Sequence, residues 1–219
     1  MPHDSFDFTA FGSEIAGRMA RGMGKGRDAA GVAAAMAEIT AFVEATLAGE
    51  MDGAERALIA CGPGCAACCV VNVTLLLPEA VAITEYLRTA FDAGERGALA
   101  AAVGDTARTV RWMDDAERIR RRIPCPFLDR AGWCRIHPVR PLTCRAVTST
   151  DPLACRRALD AAAGDEEEPL LMNLFQKFLV DTAFRGVAEG LARLGRDDRG
   201  RELTQAVAAL LQAPVANRE

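Results

Sequence analysis

Eight cysteines constrain this chain of 219 residues more than any other feature, because all of them fall in two short stretches. The first stretch holds Cys61, Cys65, Cys68 and Cys69, and the second holds Cys125, Cys134, Cys144 and Cys155. Gly62, Pro63 and Gly64 let the first stretch bend, and a bent backbone allows several sulfurs to converge on one ion. We therefore predict that the fold is built around two cysteine-rich turns.

The clustering favours metal ligands over other uses of cysteine. Buried cysteines also serve as small apolar residues, but that use is typical of one or two cysteines and not of eight on turns. Residues 1–11 lack the basic start and apolar run of a secretion signal, so we expect the cytoplasm, where disulfides are rare. We predict that all eight cysteines bind metal, with Cys155 the weakest assignment because it is expected to start a helix.

The thiolates also narrow the choice of metal. Soft sulfur ligands favour zinc, iron–sulfur clusters or copper(I), and they argue against magnesium and calcium. Eight of them suffice for two four-ligand sites, for one iron–sulfur cluster with spare ligands, or for a small multinuclear cluster. Adjacent residues such as Cys68 and Cys69 usually point in different directions, so they serve different metals or only one of them binds. The predicted cofactor is zinc or iron, with an iron–sulfur cluster as one form.

The rest of the chain predicts an all-α protein. Alanine dominates the apolar residues and aromatic residues make up only 5%, which favours helices over strands. Apolar residues recur at helical spacing after Asp28, after Pro78, over 95–122, after Pro169 and over 203–211. Asp28 is predicted to be the N-cap of the first of these helices. Five glycines in residues 1–27 predict a loose arm, followed by a single domain over 28–213.

Two shorter segments have local signals of their own. Val70 to Leu77 is expected to be a short strand or a buried extended piece. Residues 123–155 are rich in proline and are expected to be loop-like. Within them, Asp129 to Gly132 is typical of a tight turn that closes a small hairpin between Phe127 and Ile136.

Charge and hydropathy bear on the partners. The formal net charge of −4 argues against a general nucleic-acid binder, whose affinity depends on neutralising phosphates. No apolar stretch reaches the roughly 20 residues that cross a bilayer, so we expect no membrane partner. The predicted partner is a metal ion, and the sequence does not identify a protein partner.

Several side chains near the cysteines have two interpretations each. His137 follows Cys134 at a spacing that would let it join a site, although such a histidine is more often structural. Trp133 and Phe127 are expected to cover the metal centre and limit solvent. The arginines near the second stretch either offset thiolate charge or form a solvated basic face; they are Arg135, Arg140, Arg145, Arg156 and Arg157. The arginine run at 118–122 is expected to be solvated helix surface.

The cysteine motifs resemble those of the zinc- or iron-chelating cysteine-cluster family of the YkgJ type. The matching motifs span about residues 55–160 and are Cys61-x3-Cys65-x2-Cys68-Cys69, Cys125-Pro-Phe-Leu, Gly132-Trp-Cys134-Arg-Ile, Arg140-Pro-Leu-Thr-Cys144-Arg145 and Cys155. The resemblance implies a bacterial metal-binding protein. A related domain is similar to the flagellin lysine N-methylases, which implies an iron–sulfur cluster and methyl transfer, but this chain is much shorter than those enzymes.

Three functions follow as hypotheses. The first is a cytoplasmic metal-binding protein in which the metal is part of the core. The second is an enzyme that activates a substrate at an exchangeable metal position, and the third is a metal store or redox sensor. The spacing of Cys61, Cys65 and Cys68 is also that of radical S-adenosylmethionine enzymes, but their fold needs alternating strands and helices that this sequence does not predict.

Overall fold

The computed structural model describes residues 5–25, 28–163 and 169–212. Over these residues the chain forms ten helices and one antiparallel sheet of two short strands, and the predicted all-α class is confirmed. The helices are α1 (Phe8–Lys25), α2 (Ala29–Glu50), α3 (Gly53–Ala57), α4 (Leu77–Ala90), α5 (Ala93–Val110), α6 (Asp115–Arg120), α7 (Leu142–Ala146), α8 (Pro152–Ala163), α9 (Leu174–Arg193) and α10 (Leu203–Gln212). The strands are β1 (Thr74–Leu75) and β2 (Arg201–Glu202).

Several helices begin at residues that favour a helix N-terminus. The Asp28 carboxylate accepts a hydrogen bond from the Gly31 N–H at 3.0 Å, which caps α2 as predicted. Pro78 lies in the first turn of α4, where the backbone donor that proline lacks is not needed. Asn173 caps α9 through the Gln176 N–H at 2.7 Å.

The prediction of a loose N-terminal arm is wrong over Phe8–Lys25, which is helix α1. Ile15 and Met19 on this helix are fully buried. The domain boundaries at 28 and 213 stay predictions.

Helix α1 packs closely against α9 despite its own glycines, and two glycines of α9 permit the close approach. A Cβ atom added at Gly186 would lie 2.7 Å from the Gly12 carbonyl oxygen, and one at Gly190 would lie 2.7 Å from the Ala16 carbonyl oxygen. Glycine in a helix costs about 0.5–1 kcal/mol relative to alanine. Here the missing side chains let two backbones approach, and the buried apolar area offsets that cost.

The helix predicted over 95–122 is two helices, α5 and α6, separated at residues 111–114. Asp114 starts the second of them, because its carboxylate accepts a hydrogen bond from the Glu117 N–H at 2.8 Å. Apolar periodicity continues across residues 111–114, so the periodicity alone does not predict the interruption between α5 and α6.

Two groups of buried apolar side chains form the interior. One lies among α1, α2, α4, α7 and α9, and the other lies among α4, α5 and α10. The segment over 123–155 contributes to both: Leu142 and Ala146 join the first group, whereas Phe127 and Ile136 join the second. The second cysteine stretch is therefore anchored on both parts of the interior.

Helix α2 contradicts the expectation that no apolar stretch is long enough to cross a bilayer. It is long and apolar enough to cross a bilayer by length and composition alone, with an 18-residue window of mean hydropathy 1.4. The prediction that no segment reaches this length is therefore wrong. In the structure Val32, Met36, Ile39 and Val43 on this helix are buried in the first apolar group.

We predict that Gly190→Ala or Gly186→Ala lowers the free energy of unfolding by about 1–3 kcal/mol, because the added methyl group must push α1 from α9. Urea unfolding measures this. The matched control is Gly97→Ala in α5, where an added Cβ meets no atom within 4 Å; it should be neutral or stabilise by up to about 1 kcal/mol. Stability unchanged in both α9 variants would contradict the close packing.

Candidate metal centre

The two cysteine stretches are in direct contact, although many residues separate them in the chain. The Cys125 N–H donates a hydrogen bond to the Cys69 carbonyl oxygen at 2.7 Å, and the Ala60 N–H donates to the Ser149 carbonyl oxygen at 2.8 Å. A Cβ atom at Gly132 would lie 3.1 Å from the Gly64 carbonyl oxygen, so the two turns also touch at their tips. The fold thus brings all the cysteine-bearing loops to one region.

A small hairpin presents Cys134. An isolated antiparallel bridge pairs Leu128 with Cys134, and the Arg135 N–H donates to the Phe127 carbonyl oxygen at 2.8 Å. The tight turn is closed by Asp129, whose carboxylate accepts hydrogen bonds from two backbone N–H groups at 2.8 Å each. Gly132 has φ of 80°, which glycine adopts without strain. The predicted hairpin between Phe127 and Ile136 is confirmed.

Short helices hold the last two cysteines. Cys144 lies in α7 and Cys155 lies in the first turns of α8, as expected for Cys155. The segment between them turns back at Ser149, whose carbonyl oxygen is 3.9 Å from the Cys61 sulfur. This contact places the start of the first stretch beside the end of the second.

Cys68 and Cys69 form a pair of interacting thiols. A hydrogen bond from the Cys69 thiol to the Cys68 sulfur lowers the pKa of Cys68 and raises the pKa of Cys69. Cys68 is an exposed residue, whereas Cys69 is half-buried. Cys68 is therefore the thiol of this pair that ionises first.

The remaining thiols are affected by burial and by one another. Burial raises the pKa of Cys125 to about 11 and raises the pKa of Cys144 further. Smaller contributions to the raised pKa of Cys144 come from Cys125, Cys68 and Cys134. Cys125 and Cys144 likewise raise the pKa of Cys69. We call Cys69, Cys125, Cys134 and Cys144 the Cys144 group.

The other cysteines form a second electrostatic neighbourhood. Burial raises the pKa of Cys61, and smaller contributions come from Cys65, Cys68 and Cys155. We call Cys61, Cys65 and Cys155 the Cys61 group. Cys68 influences members of both groups, and each group draws on both stretches of the sequence.

Thiols are ligands of the type that soft metals prefer, but these sulfurs do not converge on one position. Within the described ranges, no three Cys, His, Asp or Glu side chains are placed so that they could hold a metal ion. All eight cysteines are unpaired thiols. Each sulfur moves among staggered positions by rotation about one bond, so side-chain rotation is the movement available to close a site.

A buried glutamate that the sequence analysis did not select ties the two stretches together. Glu79 is only 3% exposed, and its carboxylate accepts hydrogen bonds from the Leu76 N–H at 2.7 Å and the Leu142 N–H at 2.8 Å. Leu76 follows the first stretch, and Leu142 begins the helix that carries Cys144. Burial raises the pKa of Glu79 to about 7. Its position as the third residue of α4 was the available signal, because glutamate there often bonds back to the backbone at the helix start.

A buried arginine also ties the two cysteine stretches together. Arg118 is 2% exposed, so its prediction as solvated surface is wrong. Its guanidinium donates to the Asn72 side chain at 3.1 Å and to the Ile123 carbonyl oxygen at 3.3 Å, and it pairs with Glu202 at 3.4 Å. Asn72 follows the first stretch and Ile123 precedes the second. Arg118 therefore links the two segments of the chain that flank the cysteine stretches.

Most of the arginines near the second stretch are engaged elsewhere. Arg145 is buried and bonds to Glu44 and to backbone carbonyl oxygens, and Arg135 pairs with Glu95 at 2.9 Å. Arg140 differs, because the described residues offer its side chain no hydrogen bond or ion pair. Its positive charge lowers the pKa of thiols in the Cys144 group.

Three neighbouring residues complete the site. Phe127 is fully buried, and Cys125 and Cys134 pack against the same apolar group. Trp133 is 54% exposed, so it does not cover the cysteines as expected. His137 is an exposed residue whose pKa is lowered by partial burial and by Arg140.

Comparison with known proteins agrees with this arrangement. Residues 60–167, about half of the chain, match the CxxCxxCC family, described as a "putative zinc- or iron-chelating domain". This stretch of the chain belongs to that family. The matched range contains all eight cysteines. No curated protein and no solved structure matches the chain.

We predict that Glu79 makes stability depend on pH. Its folded-state pKa lies above the usual value of 4.5, so its contribution is present at low pH and is lost as pH rises through about 7. The loss amounts to at most about 3 kcal/mol. Urea unfolding of reduced, metal-free protein at pH 5 and pH 8 measures it. Glu79→Gln should lack this slope, the exposed control Glu50→Gln should keep it, and equal slopes in all three proteins would contradict the prediction.

Proposed function

We propose that this protein binds zinc or iron through cysteine thiolates drawn from both stretches, and that the bound metal forms part of the folded interior. The contact between the stretches supports this most directly, because the Cys125 N–H bonds to the Cys69 carbonyl oxygen at 2.7 Å. That hydrogen bond places residues of separate motifs side by side. The family match supports the choice of zinc or iron.

We further propose how the ligands divide. The Cys144 group contains four cysteines and is the more buried, which suits a closed site with four thiolates. The Cys61 group contains three and includes the exposed Cys61. Cys68 lies between them and is the candidate for the fourth ligand of the Cys61 group. This division assigns Cys68 and Cys69 to different sites, which is one of the two arrangements expected of adjacent cysteines.

The protein's own residues determine how binding depends on pH. Thiols bind these metals as thiolates, so binding displaces protons. Because burial keeps Cys125 and Cys144 protonated, loading of the Cys144 group releases protons, and its affinity falls as pH is lowered. When bound, zinc supplies a structural cross-link, whereas an iron–sulfur cluster also supplies electron transfer.

A cytoplasmic location is part of the proposal. All eight thiols are free, and a reducing compartment keeps them available for metal. A second candidate function is a redox-responsive metal store, which the exposure of Cys68 and its contact with the Cys69 sulfur favour. Peroxide should then release metal from the wild type and less from Cys68→Ser. Methyl transfer, as implied by the related enzymes, stays a prediction.

We expect the metal-free, reduced protein to unfold at a lower urea concentration than the loaded protein. A ligand present at about 100 times its dissociation constant stabilises the folded state by about 2.7 kcal/mol. The loaded sample is purified without oxygen, and the metal-free sample is prepared from it with a chelator and a reductant. Readdition of metal serves as the control for irreversible damage. Equal stability of the two forms would contradict a structural role for the metal.

We expect Cys65→Ser, Cys68→Ser and Cys144→Ser each to lower the metal content, because a hydroxyl replaces thiolate poorly with soft metals. Elemental analysis of protein purified without oxygen measures the content. A visible spectrum separates an iron–sulfur cluster, which absorbs, from zinc, which does not. Ala67→Ser is the matched control, since it adds a hydroxyl to the same turn and keeps every thiol.

The pattern of loss tests the division of ligands. Cys144→Ser should remove the metal of the Cys144 group and leave that of the Cys61 group, whereas Cys65→Ser should do the reverse. Cys155→Ser should have the mildest effect. Metal content unchanged in the Cys65, Cys68 and Cys144 variants alike would refute the ligand assignment.

A further inference from the structure

A cleft of about 290 Å³ lies between α2, α4 and residues 138–140. Its floor is buried and includes Met36, Glu79 and Ala82, whereas Ala34 and Pro138 on its rim are exposed. Ligand sites usually measure about 300–1,000 Å³, so this volume suits a small molecule and not a nucleotide.

Small side chains create the space. Alanines line the face of α2 that borders the cleft, at Ala33, Ala34 and Ala37, and Ala82 faces them from α4. A leucine at any of these positions would occupy much of the volume. Met36 and Tyr86 complete a wall that is mainly apolar.

The carboxylates at the cleft are already occupied. Both oxygens of Glu79 accept backbone hydrogen bonds, from Leu76 and Leu142. Both oxygens of Glu85 are bound by Arg88, at 2.9 Å and 2.6 Å. Neither carboxylate is hydrogen-bonded to Arg140, which lines the other side of the cleft.

Arg140 has an unsatisfied donor. Its guanidinium Nε is buried and has no hydrogen-bond partner among the described residues. A buried donor left unpaired destabilises the folded state, and more so when it is charged. The planar group has five N–H donors in a fork that matches a carboxylate.

We propose that the cleft binds a small carboxylate with an apolar body. The carboxylate pairs with Arg140, and the body lies against the alanines of α2 and α4. This site goes beyond metal binding and does not require it, so the two proposals are tested separately.

Binding of butanoate to the full-length protein tests the proposal, with butanamide and butylammonium as probes of the same shape. Titration is followed by calorimetry or by shifts of methyl NMR signals, on metal-loaded and metal-free protein. We expect saturable binding in the millimolar range or tighter, at least tenfold stronger for butanoate than for butanamide, and none for butylammonium. Equal binding of butanoate and butanamide, or no saturable binding of butanoate, would overturn it.

Two variants locate the site. Arg140→Met should weaken butanoate binding at least tenfold, and Ala37→Leu should abolish it by filling the cleft from its exposed rim. The control Arg130→Met removes a charge from the exposed hairpin turn and should change nothing. Because a carboxylate also binds metal ions directly, retention of butanoate by Ala37→Leu would place it outside the cleft and sink the proposal. Metal content of each variant is measured in parallel.

Discussion

Contact between two distant cysteine stretches is the constraint on which the rest of the structure depends. The Cys125 N–H reaches the Cys69 carbonyl oxygen across a loop of roughly fifty-five residues, and closing such a loop costs about 3–4 kcal/mol. One hydrogen bond contributes only about 1 kcal/mol. The helices inside the loop must therefore supply the difference, which they do by burying apolar faces against α2 and α10.

Two buried charged residues give that contact its geometry. Glu79 and Arg118 lie on either side of the cysteines, and each bonds to chain segments that enter both stretches. Buried charges contribute little net stability, because the loss of hydration opposes their hydrogen bonds. Their contribution here is to position the two cysteine stretches, because each side chain forms hydrogen bonds only along fixed directions.

The proposed division of the cysteines differs from their order in the chain. The Cys61 sulfur lies 3.9 Å from the carbonyl oxygen of Ser149 in the second stretch, and the proposal assigns the adjacent, interacting thiols of Cys68 and Cys69 to different sites. Two metal sites that each draw on both stretches would cross-link the loops more strongly than one site within each stretch. Metal would then act on the same loop closure that the helices and buried charges support.

The sequence alone determined the helical class, the start of α2 at Asp28, the hairpin that presents Cys134 and the presence of a thiol-rich site, because capping, turn chemistry and cysteine clustering are local signals. Only the tertiary structure decided the helix at Phe8–Lys25, the burial of Arg118 and the contact between the two cysteine stretches. Glycine disfavours a helix until a second backbone packs against it, and arginine favours solvent until buried acceptors meet its donors. Both reversals depend on partners far away in the chain, which no local pattern contains.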